Sequence, residues 1–525
     1  MNIKEIIGNI PFAADLYDTV RPTRPKTRYN LDQLQAALPQ AAIQVKKRIK
    51  ETPAGKNIVI FATLHFWVEQ AVIIGLTLRG LGHNVTIAYL PYGDWTKEVT
   101  NFTLRRQDLY THRVLAPLKG LINVVSLLDY SASSKLPGEL AAEIERASEF
   151  DTMYTLQVEE IDPASELFSL RKRRNSAAAR SSLEFLEKQR PDTVLIPNAL
   201  VTELAVFYQV ARHLDLQTVT YEFNDQREQI WLSQNQVVMH QNTDQLWKAK
   251  GQIPLSEPER EKIAGLENAR TSASKYGKGT RFWQDVASVG GEAQRSALGL
   301  DSRPVVLLAT NVLGDSLTLG RNIFTASMAE WISKTVLYFA SRPDVQLVVR
   351  IHPGERLMKG PSSLDVINAA LPSLPENIRL ISPSEKINTY DLMEIASLGL
   401  AYTTTVGMEM AMRSVPVILA GQTHYRGRGF TYDPQTYDAY FADLEKILND
   451  PSAYRLTQQQ VETAWNYAYR FFFDFPHPFP WRLMHFWKDL EIWPVSRVLT
   501  PEGISEFGRT FDFLAGNPVE WTNKS

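Results

Sequence analysis

Asn57-Ile58-Val59-Ile60-Phe61-Ala62-Thr63 is a continuous apolar run rich in β-branched residues, the pattern of a strand buried on both faces. Helical spacing follows over about 67–79 and stops at Gly80 and Gly82. Asn84-Val85-Thr86-Ile87-Ala88-Tyr89-Leu90 is then a second strand. Strand, helix and strand with short connections form a βαβ unit, which implies a parallel sheet.

The same alternation continues outward. Helix is expected over 98–115, strand over 122–128, and two helices over 138–159 and 165–189. Strands at 192–197 and 217–221 flank a helix over 203–213, completing a first α/β domain at 51–245. Residues 1–50 read as a helical extension, with helix over 31–50 and a break at Pro53-Ala54-Gly55. Residues 246–300 are polar and interrupted, and read as a connecting segment. A second α/β domain at 301–455 opens on Pro304-Val305-Val306-Leu307-Leu308-Ala309-Thr310. Helix over 324–341, strands at 345–350, 378–381, 398–402 and 415–419, and a helix over 407–413 complete it. Residues 456–525 are dense in aromatics and are expected as helices crossing back over both domains. Two such domains in tandem are expected to face each other, with a ligand between them.

Bulk properties narrow the chemistry. The 525 residues carry a net charge of -2, with 44% hydrophobic and 22% charged residues. A large core is available, and there is no basic excess of the kind nucleic-acid binders carry. The absence of cysteine removes disulfides, thiolate metal sites and cysteine nucleophiles. Met1-Asn2-Ile3-Lys4-Glu5, with Asp15 and Asp18 soon after, is not a basic region leading into an apolar one, so no signal peptide is expected. No stretch reaches the ~20 apolar residues of a spanning helix. The expected location is the cytoplasm. Two segments are candidates for peripheral membrane contact: the aromatic C-terminal region and the basic run Arg171-Lys172-Arg173-Arg174, whose plainer reading is a solvated helix face.

Three segments carry candidate chemistry. Val349-Arg350-Ile351-His352-Pro353-Gly354-Glu355 ends a strand, and its alternation places Arg350 and His352 on one face. Arg can fork onto a phosphate and His can donate to one. Thr403-Thr404-Thr405-Val406-Gly407-Met408-Glu409 follows a strand and opens a helix. Its hydroxyls and backbone N–H groups suit an anion, Gly407 suits close approach of a ligand, and Glu409 suits ribose hydroxyls. Arg426 and Arg428, set among glycines in Tyr425-Arg426-Gly427-Arg428-Gly429, suit a loop closing on a diphosphate or a carboxylate. All three lie at carboxyl ends of strands in one domain, the edge where parallel sheets bind ligands. In the first domain, the turn Thr63-Leu64-His65-Phe66-Trp67-Val68-Glu69 offers His65 as a general base. Glu69, Asp94, Glu222 and Glu228 are its rivals, and the stretch 225–228 is a further candidate for lining the site. No Asp-x-Asp occurs, and no metal site is expected.

Residues 305–444 resemble bacterial capsule polysaccharide biosynthesis proteins of the GT-B glycosyltransferase type. The segments that match are Thr310-Asn311-Val312-Leu313-Gly314-Asp315, Arg350 to Glu355, Ile387-Asn388-Thr389-Tyr390-Asp391-Leu392-Met393, Thr403 to Glu409, and Tyr425 to Thr431. The first half matches in architecture alone. The resemblance implies two facing Rossmann-like domains. It also implies a UDP- or CMP-linked sugar as donor, with no other cofactor, and a glycan or lipid-linked acceptor. His352 and Thr403 to Thr405 would contact the donor phosphate. The family carries a bulky aromatic where this chain has Gly314. Rival readings are a teichoic-acid-type glycerophosphotransferase, a GT-B-like sugar epimerase and a non-catalytic assembly factor for polysaccharide export.

Overall fold

The computed structural model describes residues 12–49, 55–130, 135–224, 226–277, 284, 286–358 and 360–521. Met1 to Glu5, Lys50, Pro53, Ala54 and Asp225 of the segments above lie outside them. The chain divides into two units. The first comprises Met1–Thr152, Ile161–Gln241 and Pro476–Val519, and the second Met153–Glu160, Asn242–Phe475 and Glu520–Ser525.

The first unit is built on strands β1 (Asn57–Thr63), β2 (Asn84–Leu90), β3 (Asn123–Ser126), β4 (Thr193–Pro197), β5 (Thr218–Phe223) and β6 (Gln229–Gln234). Strands β1 to β5 pair in parallel in the order β5-β4-β1-β2-β3, so the order reverses between β1 and β4. That is the doubly wound arrangement, which binds ligands at the carboxyl ends beside the reversal. All of β1 after Asn57 is buried, as its continuous apolar run requires.

The second unit holds β7 (Val305–Ala309), β8 (Gln346–Arg350), β9 (Ile378–Ile381), β10 (Leu398–Ala401) and β11 (Val417–Leu419). They form one all-parallel sheet in the order β11-β10-β7-β8-β9, the same winding again. Ala309 pairs with Arg350 on one side and Ala401 on the other, so β7, β8 and β10 end level. Thr310, His352 and Thr403 therefore leave the sheet along one edge. A short β12 (His477–Pro478) returns to the first unit and pairs antiparallel with β6, itself antiparallel to β5. Neither β6 nor β12 has a sequence signature long enough to stand out.

Several boundaries differ from expectation. Residues 1–50 are not a separate extension. Helices Ala13–Val20 and Asp32–Ile49 belong to the first unit, where the second buries Leu34, Leu38, Ala42 and Val45. Residues 246–300 are not a mere connector. They belong to the second unit and include helices Glu257–Thr271 and Gly291–Ala297, the former started by a Ser256/Glu259 capping box. The aromatic C-terminal region divides between the units at 475/476. Its rings turn inward: Tyr467, Phe471, Phe475, Phe479, Trp481 and Phe486 are buried, so packing and not a membrane patch explains them.

The basic run is also mostly internal. Arg171 is buried between Asp151 and Glu203, while Arg174 donates to the carbonyls of Asp94 and Lys97 at 2.8 and 2.6 Å. Only Lys172 and Arg173 face solvent, paired with Glu145 and Glu98. Gly314 has φ +67°, and a Cβ there would meet the Val158 backbone at 2.7 Å, which leaves no room for an aromatic. Gly314→Ala is expected to destabilise the fold by about 1–3 kcal/mol, read as a lowered urea midpoint.

Candidate functional site

A cavity of about 560 Å³ lies at the carboxyl edge of β7, β8 and β10, beside the strand-order reversal of the second unit. Ala309, Thr310, Arg350, His352, Gly354 and Arg356 line one part of it. Glu385, Lys386, Ile387, Thr389, Tyr390 and Met393 line another, and Thr404, Thr405, Val406 and Glu409 a third.

His352 follows β8 and caps the short turn Pro353–Leu357. Its backbone N–H donates to Thr310 Oγ1 at 2.9 Å, and its Nδ1 accepts from the Gly354 N–H at 3.0 Å. The neutral ring therefore carries its proton on Nε2 and is a donor at that atom. Gly354 is needed for this closure, because a Cβ would lie 2.8 Å from Nδ1.

The threonine loop is held from two sides. The Thr403 N–H donates to Asn311 Oδ1 at 3.1 Å, and the Tyr425 hydroxyl donates to the Thr404 carbonyl at 2.6 Å. Thr404 and Thr405 are half-buried and line the cavity. Thr403 does not line it, and its hydroxyl is buried without a hydrogen-bond partner among the described residues. The helix that follows, Val406–Ala411, is only six residues long, so hydroxyls outweigh its dipole as anion ligands.

Four expected ligand residues take other roles. Gly407 makes room for Tyr425, whose hydroxyl occupies the space a Cβ would need, and not for a ligand. Glu409 reaches the cavity wall, but its carboxylate is paired with the buried Arg270 and accepts from the Tyr390 hydroxyl at 2.9 Å. Arg426 donates to the carbonyls of Leu419, Gly421 and Pro434, pinning its own loop. Arg428 pairs with Asp244 at 2.5 Å and sits over the Tyr467 ring. Neither arginine lines the cavity.

Arg350 is buried at the end of β8 and donates to the Ser382 carbonyl at 3.0 Å while lining the cavity. Two exposed cations unnoticed in the sequence join it: Arg356, on the turn after His352, and Lys386, just before the Ile387–Met393 segment. Three cationic side chains thus face two carboxylates, Glu385 and Glu409, the second of which is already neutralised by Arg270. The balance suits an anion. Among the described residues no group of three or more His, Asp or Glu side chains could hold a metal ion.

In the first unit, His65 opens helix His65–Gly80 directly after β1, preceded by Leu64 at φ +61°. Burial lowers the His65 pKa, so the ring is neutral at pH 7. Glu69, one turn on, is buried and accepts from Trp487 Nε1–H at 3.3 Å. Burial pushes its carboxyl up to about 8, so it is mostly protonated at pH 7.

Two of the rivals have partners for their carboxylates: Glu222 accepts from Asn198 Nδ2 at 2.9 Å, and Asp94 caps the turn at Thr96. The backbone carbonyl of Glu228 accepts from the Phe479 N–H. Arg227, next to it, pairs with Asp489.

The raised Glu69 pKa means that the folded state binds a proton the unfolded chain has released above the ordinary glutamate range. Stability from this group is complete below that range and is lost as pH rises towards about 8. Glu69→Gln should flatten the fall in thermal midpoint between pH 5 and about 8.

No family model matches the sequence, and no curated protein matches it. Solved structures do. A Thermosulfurimonas dismutans KpsC, described as a beta Kdo 2,4 transferase, is 16% identical over 52% of this chain and 78% of its own, with a TM-score of 0.32. The beta Kdo 2,7 transferase of the same organism's KpsC is 11% identical over 54% and 79%, with a TM-score of 0.32. The UDP-GlcNAc 2-epimerase of Neisseria meningitidis is 14% identical over 79% and 98%, with a TM-score of 0.26. The α/β architecture of the present chain is carried by its own strand order.

Proposed function

We propose that the chain is a glycosyltransferase of GT-B type whose second unit binds the phosphate of an activated sugar nucleotide, UDP- or CMP-linked. One observation supports this reading above the others. His352, Thr404, Thr405 and the cations Arg350, Arg356 and Lys386 line a single cavity at the carboxyl edge of a doubly wound sheet, beside its strand-order reversal. The 560 Å³ volume is in the range of small-molecule sites.

In the reaction a hydroxyl of a glycan or lipid-linked acceptor attacks the anomeric carbon of the donor sugar. The bond from that carbon to the phosphate oxygen breaks, and its electron pair leaves with the phosphate. His352 and the threonine hydroxyls donate to the departing oxygens, and the cations offset their charge. The acceptor proton goes to a base, for which His65 is the candidate. The resemblance of residues 305–444 to capsule polysaccharide biosynthesis proteins supports a role in making surface or capsular polysaccharide.

Calorimetric titration with CMP, UDP and GDP tests the reading. One of them should saturate a single site and raise the thermal midpoint. Absence of binding by all three would remove the basis for a nucleotide-linked donor.

A further inference from the structure

We propose that the N-terminal face of the first unit docks on an anionic lipid surface. The helix Ala13–Val20 and the residue before it present Phe12, Leu16 and Val20 at 80%, 69% and 73% exposure. Their spacing of four puts them on one side of the helix. The other side is fastened down. Ala14 and Asp18 are buried, Asp15 pairs with Arg105 at 3.0 Å, Asp18 pairs with Arg113, and Tyr17 meets Phe102 edge-on. The helix therefore cannot roll to hide its stripe without breaking those pairs.

The chain then runs through Arg21-Pro22-Thr23-Arg24-Pro25-Lys26-Thr27-Arg28, with all four cations exposed. No acidic residue occurs between Asp18 and Asp32. Among the described residues Arg24 and Arg28 have surface partners, Asp32 at 2.7 Å and Asp94 at 4.0 Å. An apolar stripe followed directly in the chain by four exposed cations is complementary to a lipid surface that offers acyl chains beneath anionic headgroups. A second copy meeting this patch about a two-fold axis would set the cations of one against those of the other. Among the described residues no helix is long and apolar enough to cross a membrane.

Co-sedimentation of the full chain with vesicles tests this. Phosphatidylcholine containing about 30 mol% phosphatidylglycerol should pellet the protein at low salt, and phosphatidylcholine alone should not. The set Arg21→Gln, Arg24→Gln, Lys26→Gln and Arg28→Gln should weaken binding by roughly 100-fold, at about five-fold per cation with allowance for the paired arginines. The set Phe12→Ser, Leu16→Ser and Val20→Ser should weaken it by at least about ten-fold. Both sets replace exposed side chains and should keep the wild-type thermal midpoint. The proposal fails if wild type ignores anionic vesicles, or if neither set changes binding. It also fails if sedimentation velocity shows a dimer that the apolar set dissolves, since a second copy would then be the occupant.

Discussion

His65→Ala is expected to lower turnover by about 100–10,000-fold while leaving nucleotide affinity nearly unchanged. The choice between His65 and Glu69 follows from their protonation states. Burial keeps the His65 ring neutral at pH 7, so it can accept a proton. Burial holds a proton on Glu69 up to about 8, so at neutral pH that group is an acid. The affinity should survive because His65 belongs to the first unit and the cavity proposed for the nucleotide is lined by the second. Rates measured with a sugar nucleotide and a hydroxyl acceptor give the answer. The wild-type pH profile should rise through a pKa below the ordinary imidazole value. Unchanged turnover in His65→Ala would remove His65 from the role of base.

Glu409→Ala is expected to destabilise the second unit by about 3–5 kcal/mol, because it leaves the buried Arg270 guanidinium without its carboxylate. The Tyr390 hydroxyl loses its acceptor in the same step. Replacing both charges, as in Arg270→Met with Glu409→Leu, should recover much of the loss, since neither charge is then stranded. Urea denaturation of the two variants measures both numbers. If Glu409 were instead a ribose ligand with no structural part, Glu409→Ala would keep its stability and lose nucleotide affinity.

What the sequence shows and what it hides separate along physical lines. The runs Asn57–Thr63 and Val305–Ala309 are apolar except at Asn57 and Thr63, and a doubly covered parallel strand accommodates that. The spacing of Arg350 and His352 is local, and both do line the cavity. Glu409 is different, because the partner that claims it is Arg270, 139 positions earlier, on a segment that reads as a polar connector. Arg426 and Arg428 sit in a glycine-rich turn that suits a ligand loop. Their forks are filled by carbonyls and by Asp244, and no local pattern announces that. Arg356 and Lys386 escape notice for the opposite reason: each is an ordinary surface cation until the sheet edge brings them to one cavity.

The central claim is that the nucleotide phosphate lies between His352 and Thr404. Calorimetry of wild type, His352→Ala, Thr404→Val and the double variant against the preferred nucleotide tests it most directly. Losing one well-oriented hydrogen bond to phosphate should cost roughly 1.5–3 kcal/mol, or about 10–150-fold in affinity, in each single variant. The double variant should lose less than the sum, because both side chains touch one group. Wild-type affinity in both single variants, with the fold intact, would contradict the account and place the nucleotide elsewhere.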